Sequence, residues 1–250
     1  MRPMAGGIAL LVLAFLTVPL LELATGGDWR QASLSGDDIR AIVTSISGGG
    51  IALLIIFCAG TPLAWVLVHG RSRLAVIGEA LVLIPMLMPT LALGILLVAF
   101  YGPAAPAGEA FARIGIALTN SMAAFVLAAV YAALPTYIIA AKAALGEVPA
   151  ALEDVARTLG ETEQSVFFRV SLPMAQRGVA AALALAWVRA MGEFGIVLIL
   201  AYFPQGMPVR LWVDVQELGV PAVFPLLAVF LAAALPLPLW LGLRARRAAL

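Results

Sequence analysis

Polarity along the chain is arranged in long blocks rather than in alternation. Apolar stretches run over about 8–24, 42–68, 80–100, 116–141, 176–202 and 221–243, with shorter polar or glycine- and proline-bearing segments between them. Each block has the ~17–25 residues a helix needs to cross a ~30 Å hydrocarbon layer. None shows the alternation over ~10 residues that marks a strand of a membrane barrel. Backbone polar groups find no water in lipid, so only helices or a closed barrel can span it, and this pattern selects helices. The expectation is an all-α integral membrane protein: one domain over 1–250, about six spans, and a polar insert at 142–175. The first block is read as a span rather than a cleaved signal, because its flank holds only Arg2 and its apolar run is long.

Composition strengthens this reading. The chain is 63% hydrophobic and 12% charged, more apolar than a soluble core of this length can absorb. Net charge is +1, which gives nucleic acid no electrostatic footprint. With one histidine, His69, and one cysteine, Cys58, neither a His/Cys metal site nor a nucleophile–histidine pair is expected. His69 reads as an interfacial residue beside Arg71 and Arg73. Basic residues divide unevenly between the loops. One set holds Arg2, Arg71, Arg73, Lys142, Arg157, Arg169, Arg177, Arg244, Arg246 and Arg247; the other holds Arg30, Arg40, Arg113 and Arg210. The basic set marks the cytoplasm, which puts both termini and the 142–175 insert inside.

The insert carries the most information. Leu152, Val155, Ala156 and Leu159 recur at i, i+3, i+4 and i+7, one apolar face of a short helix. Pro149 suits its start and Gly160 its stop. A second short helix is expected over 163–170, with Arg169 near its negative end. An amphipathic projection of this kind can fit a groove on another protein. It can equally lie on the membrane surface or pack on its own bundle, and the pattern alone leaves these open.

Asp154-Val155-Ala156, three residues, Gly160, nine residues, then Val170-Ser171-Leu172-Pro173 resembles the EAA motif of ABC importer permeases, with Asp154, Val155 and Val170 as conservative departures. The runs 84–89 (Ile-Pro-Met-Leu-Met-Pro), 133–135 (Ala-Leu-Pro) and 189–195 (Arg-Ala-Met-Gly-Glu-Phe-Gly) are similar to those of molybdate, tungstate and sulfate permeases. Residues 201–204, Ala-Tyr-Phe-Pro, look closest to the tungstate/molybdate branch. The chain departs from other molybdate and sulfate permeases in lacking an Ala-Gly-Asn run after Leu200. The resemblance implies a type I ABC importer permease fold and an ATPase-coupling role for Glu153, Asp154, Val155, Ala156, Gly160, Val170, Leu172 and Pro173. Its implied partners are a second permease subunit, expected to be a copy of this chain in a homodimer, two ABC ATPase subunits and an extracytoplasmic binding protein. It also implies tungstate or molybdate as cargo, with sulfate or thiosulfate as the alternative. In that frame Arg210, Asp214 and Glu217, in the outer loop with Trp212, are candidate docking residues for the binding protein.

A P-loop needs Gly-x-x-x-x-Gly-Lys-Ser/Thr, and the only lysine, Lys142, sits between Ala141 and Ala143. Hydrolysis, and with it ATP and Mg, is therefore expected on a partner; this chain is expected to hold no catalytic residue or cofactor of its own. Arg189 and Glu193 are the charges deepest in an apolar block. Such charges cost ~2.5–3.5 kcal/mol each at a bilayer centre and normally face protein or water. At i, i+4 they can pair, either as a contact for the anion or as a structural tie. Pro85, Pro89, Gly192 and Gly195 complete the candidate pathway and gate. An ion-coupled secondary transporter would place acids in several spans, and a membrane-embedded enzyme would need a polar cluster; neither pattern is present.

Overall fold

The computed structural model describes residues 2–26, 33–70 and 73–247; Arg30 and Arg71, part of the charge asymmetry above, lie outside them. Thirteen α-helices follow one another among these residues. They are α1 (Arg2–Thr25), α2 (Gly36–His69), α3 (Arg73–Leu87), α4 (Thr90–Tyr101), α5 (Pro106–Arg113), α6 (Met122–Gly146) and α7 (Ala150–Thr158). After these come α8 (Glu163–Val166), α9 (Leu172–Met191), α10 (Gly195–Leu200), α11 (Met207–Leu218), α12 (Phe224–Ala234) and α13 (Pro236–Arg247).

Among the described residues, α1, α2, α6 and the run Val220–Leu241 are long and apolar enough to cross a membrane, and α3 with α4 make a fifth if taken together. α9, twenty residues that include Arg177 and Arg189, is not in this set. The block over 80–100 is not one straight helix: α3 and α4 meet at 112°. Pro89 accounts for the break, because proline disfavours helical geometry at Met88 and has no N–H to donate. The block over 176–202 is likewise divided, between α9 and α10.

α2, α6 and α9 form the central packing unit. Ala52, Ile56 and Ala64 of α2 meet Ala129, Ala133, Tyr137 and Ile138 of α6 and Ala182, Ala186 and Ala190 of α9, all nearly or fully buried. Alanine dominates because association in lipid depends on close backbone approach rather than on expelling water. Within the small-residue patch of α2, Ser45, Gly48, Gly49 and Ala52 are buried, whereas Ser47 and Gly50 face out. The other side of α6 packs against α4 and α10 through Leu93, Leu97, Ala128, Ile196 and Leu200. Leu54, Leu81, Ile95 and Phe100 lie exposed, an apolar exterior that water would not tolerate.

Local chemistry sets the helix ends. Ser35 and Asp38 make a reciprocal capping box at the start of α2, with Asp38 N–H donating to Ser35 Oγ (3.1 Å) and Ser35 N–H to Asp38 Oδ2 (2.7 Å). The helix expected over 163–170 is shorter than the pattern suggested. α8 stops at Val166 and runs through a π-helical turn, Phe167–Ser171, straight into α9. The wider turn has its cause in Pro173, whose ring would strike the carbonyl four residues back and which supplies no N–H.

Candidate functional site: the insert and two polar ties

α7 begins after Pro149 and closes with a Schellman arrangement at Gly160. Gly160 N–H donates to the Arg157 carbonyl (3.0 Å) and Glu161 N–H to the Ala156 carbonyl (3.1 Å). Gly160 adopts φ +89°, where a side chain is strained. The orientation of α7 is inverted relative to a helix packed on its own bundle. Leu152, Val155 and Leu159 are 44%, 55% and 80% exposed, while Glu153 is 2% exposed. The apolar stripe therefore points away from the protein and the carboxylate points in. Asp154 is exposed, Ala156 and Val170 are half-buried, Leu172 packs on the core, and Pro173 is exposed at the foot of α9.

Salt bridges make the insert one unit. Arg157 donates to Asp154 Oδ1 (2.9 Å) and forks onto Glu163 Oε1 and Oε2 (2.8 and 3.1 Å), joining α7 to α8. The Glu163 hydrogen bonds raise the Arg157 pKa, and Arg157 in turn holds the Glu163 carboxyl below its ordinary value. Arg169 donates to Glu161 (3.0 Å). Glu153 anchors the unit to the bundle: Ser171 Oγ donates to Oε1 (2.5 Å), and His69 Nε2 lies 2.6 Å from Oε2. Ser171 Oγ in turn accepts from Trp65 Nε1 (3.3 Å). Lys142 pairs with Glu79 (2.7 Å) at the same end of the bundle. The 69–79 and 142–178 segments, grouped above by charge, thus lie together in space.

Arg189 and Glu193 sit where α9 gives way to α10. Glu193 is 2% exposed; its Oε2 accepts from Arg189 Nη1 (2.7 Å) and its Oε1 from the backbone N–H of Ile196 (2.8 Å). Glu193 is thus a tie, closing α9 and capping α10. The Arg189 side chain is 39% exposed. Gly195 lets α10 approach α4 closely, since a methyl there would lie 2.2 Å from Thr90 Oγ1 and 2.9 Å from the Leu91 nitrogen. Gly192, at the end of α9, is exposed. Pro89 is exposed at the α3–α4 break, and Pro85 helps line a cavity of about 350 Å³ with Met88, Tyr101 and Tyr131. The pathway candidates therefore fall at two adjacent breaks.

At the opposite end of α2, Arg210 of α11 lies between two carboxylates, Asp38 Oδ1 at 3.0 Å and Asp214 Oδ1 at 2.8 Å. Side-chain exposure is 13% for Arg210 and 5% for Asp214, so of the three residues expected to face a docking protein only Glu217 is exposed. Arg210 and Asp214 instead hold α11 against α2, helped by Met207 N–H donating to Ser45 Oγ (2.8 Å). Burial pushes the Asp214 carboxyl up to about 6, against the pull of Arg210 and with a smaller push from Asp38. His69, Trp65, Ser171 and Asp38 gave no signal in the sequence, because their roles depend on partners 84–172 residues away.

Comparison with known proteins gives one consistent result. Residues 54–248 match the family described as binding-protein-dependent transport system inner membrane component. A protein named in Haloferax volcanii as a probable molybdenum ABC transporter permease is 36% identical over 196 residues, 78% of this chain and 71% of that one. The molybdenum transport system permease protein ModB of Mycobacterium bovis is 31% identical over 78% of this chain and 75% of its own. Among solved structures, a chain of a bacterial alginate ABC transporter superposes with a TM-score of 0.78 at 18% identity, covering 98% of this chain and 93% of that one. With the family match extending from α2 to the end of α13, the chain belongs to the inner-membrane components of binding-protein-dependent transport systems and has the type I ABC importer permease fold.

Proposed function

We propose that the chain works as one of two permease subunits in an ATP-driven importer for tungstate or molybdate. The observation that carries the coupling role is the inverted α7, whose Leu152, Val155 and Leu159 are exposed while Glu153 is buried. An apolar stripe turned away from its own bundle suits a groove on a partner. In this reading the ATPase subunits, which bind ATP and Mg, grip α7 in the cytoplasm, with both termini on the same side as the basic loops require. Asp154 and Gly160 shape the gripped surface, and Val170, Leu172 and Pro173 pass its motion to α9.

The relatives support the cargo class. ModB of Mycobacterium bovis is named for molybdenum, and a Methanocaldococcus jannaschii relative, 25% identical over 86% of this chain, is named for molybdate and tungstate. Sulfate is the second reading, favoured by the sulfate permease CysT of Escherichia coli, 27% identical over 91% of this chain. The alginate transporter neighbour was solved with a periplasmic protein bound, which supports delivery of cargo by such a protein, with Glu217 on the receiving face. Arg189, part-exposed beside Glu193, meets the passing oxyanion, with Pro85, Pro89, Gly192 and Gly195 at the adjoining breaks.

The test is ATP-dependent uptake into vesicles holding the permease, its ATPase and its binding protein, comparing tungstate, molybdate and sulfate. Uptake should require all three components and should favour tungstate or molybdate. Uptake without the ATPase refutes the importer reading, and a preference for sulfate refutes the cargo assignment alone.

A further inference from the structure

The contacts that root the insert form a closed ring. Trp65 Nε1 donates to Ser171 Oγ, Ser171 Oγ donates to Glu153 Oε1, Glu153 Oε2 meets His69 Nε2, and His69 Nδ1 lies 3.0 Å from the Trp65 carbonyl. The ring starts and ends on the last turn of α2 and passes through α7 and the turn that opens α9. It thus ties together three elements that otherwise meet at the end of the bundle.

Proton count decides whether this ring can close. His69 Nδ1 faces a carbonyl, which only accepts, so that nitrogen must carry a hydrogen. Nε2 faces a carboxylate oxygen at 2.6 Å, so a proton must also lie between these two groups, on either one. Without it, two acceptors face each other and Oε2 of the buried carboxylate loses its hydrogen-bond partner. Arg157 on α7 is no substitute: its Nη2 stands 3.7 Å from Glu153 Oε2 while the guanidinium is committed to Asp154 and to Glu163 of α8. Ser171 of the turn is neutral, and the α2 dipole, negative at His69, favours a proton there.

We propose that this ring is the joint through which movement of α7 reaches α2 and α9, and that Glu153, Ser171 and His69 are its positioning residues. The proposal rests on the reading of α7 as the ATPase-gripped element. Importing efficiency, measured as solute moved per ATP hydrolysed, should therefore depend on this one histidine.

The experiment uses the full complex of permease, ATPase and binding protein in vesicles, with tungstate as probe. Uptake per ATP is compared between the native complex and each variant. Losing a hydrogen bond to a charged group shifts such an equilibrium by about tenfold or more, so His69→Gln and Glu153→Gln should lower the ratio about tenfold. His69→Arg, which keeps a charged donor facing Glu153, should retain coupling, and Ser171→Ala should weaken it. Co-purification of the ATPase reports that each variant is folded. His69→Gln and Ser171→Ala both retaining the native ratio would overturn the joint. Leu159→Glu separates this from the underlying reading: it should release the ATPase, and an ATPase that stays bound would refute the docking role of α7 itself.

Discussion

Replacing Glu193 distinguishes a tie from a bystander. Its carboxylate receives two donors on two oxygens, Arg189 Nη1 at 2.7 Å and Ile196 N–H at 2.8 Å, and the side chain is fully buried. Glu193→Ala leaves the Ile196 amide without its acceptor, worth ~1–3 kcal/mol for a buried group, and removes a charge-assisted bond worth ~1.5–3 kcal/mol. Arg189 is partly exposed and regains water, so the second figure belongs at its low end, and the total comes to ~3–4 kcal/mol. Glu193→Gln offers one oxygen and one NH2 to two donors, so it satisfies only one of them and should cost about half as much, ~1.5–2 kcal/mol. The assay is unfolding of the purified permease in mixed detergent micelles, with the three proteins compared at one micelle composition. The order should be native, then Gln, then Ala, with the α9–α10 junction of the Ala variant more open to protease. If Gln proves as harmful as Ala, the negative charge rather than the donor count is what matters. If Ala is harmless, the tie does not hold the break.

Other consequences follow from the same geometry. Gly195→Ala places a methyl 2.2 Å from Thr90 Oγ1 and 2.9 Å from the Leu91 nitrogen, so α4 must shift, at a cost of ~1–3 kcal/mol in the unfolding assay; Gly192→Ala, with only the Val188 carbonyl at 3.3 Å, should be nearly neutral. Gly160→Ala meets no neighbour within 4 Å but must hold φ +89°, so it should cost ~1–2 kcal/mol and show as faster exchange of the amides of α7. Asp214 titrates near 6 when folded, above its ordinary 3.8, so the folded chain binds the extra proton. Stability should therefore fall as pH rises from about 4 to 6, and Asp214→Asn should flatten that slope in thermal unfolding measured across this range.

What the sequence revealed depended on how far apart the cooperating residues lie. Hydrophobic blocks announce helices because each carries its own signal, and α2 and α6 appear close to where their apolar runs lie. The signals inside the insert are also local: Gly160 ends α7 and Pro149 precedes it, as turn chemistry requires. The breaks were harder to read. Pro89 bends α3 against α4, whereas Pro135 and Pro62 sit inside helices that continue past them, and nothing in the adjacent residues separates these outcomes. The i, i+4 spacing foretold that Arg189 and Glu193 could pair, but not that the second oxygen of Glu193 would cap α10. Arg210 and Asp214 read as an outward polar face because their partner, Asp38, lies 172 residues away from Arg210. His69 looked interfacial for the same reason, with Glu153 84 residues distant.

These polar ties share a placement that lipid makes necessary. In a bundle surrounded by hydrocarbon, burying another leucine between helices gains little, since lipid tails are as apolar as the neighbouring helix. Small residues bring α2, α6 and α9 together, but they give little resistance to sliding. Directed polar contacts fix the registers that remain: Thr61 bonds Tyr137 within the α2–α6 contact, and three further ties stand where a helix starts, stops or breaks. Asp38–Arg210–Asp214 pins α11 to the start of α2, Glu193 bridges α9 and α10, and Glu153 fastens the insert to the end of α2. Most of the contact between α2, α6 and α9 is then apolar, while the ties fix where these helices join their neighbours. A transport cycle needs that division, because a bundle locked throughout by polar contacts could not open, and one held by alanines alone would not transmit a push in any fixed direction.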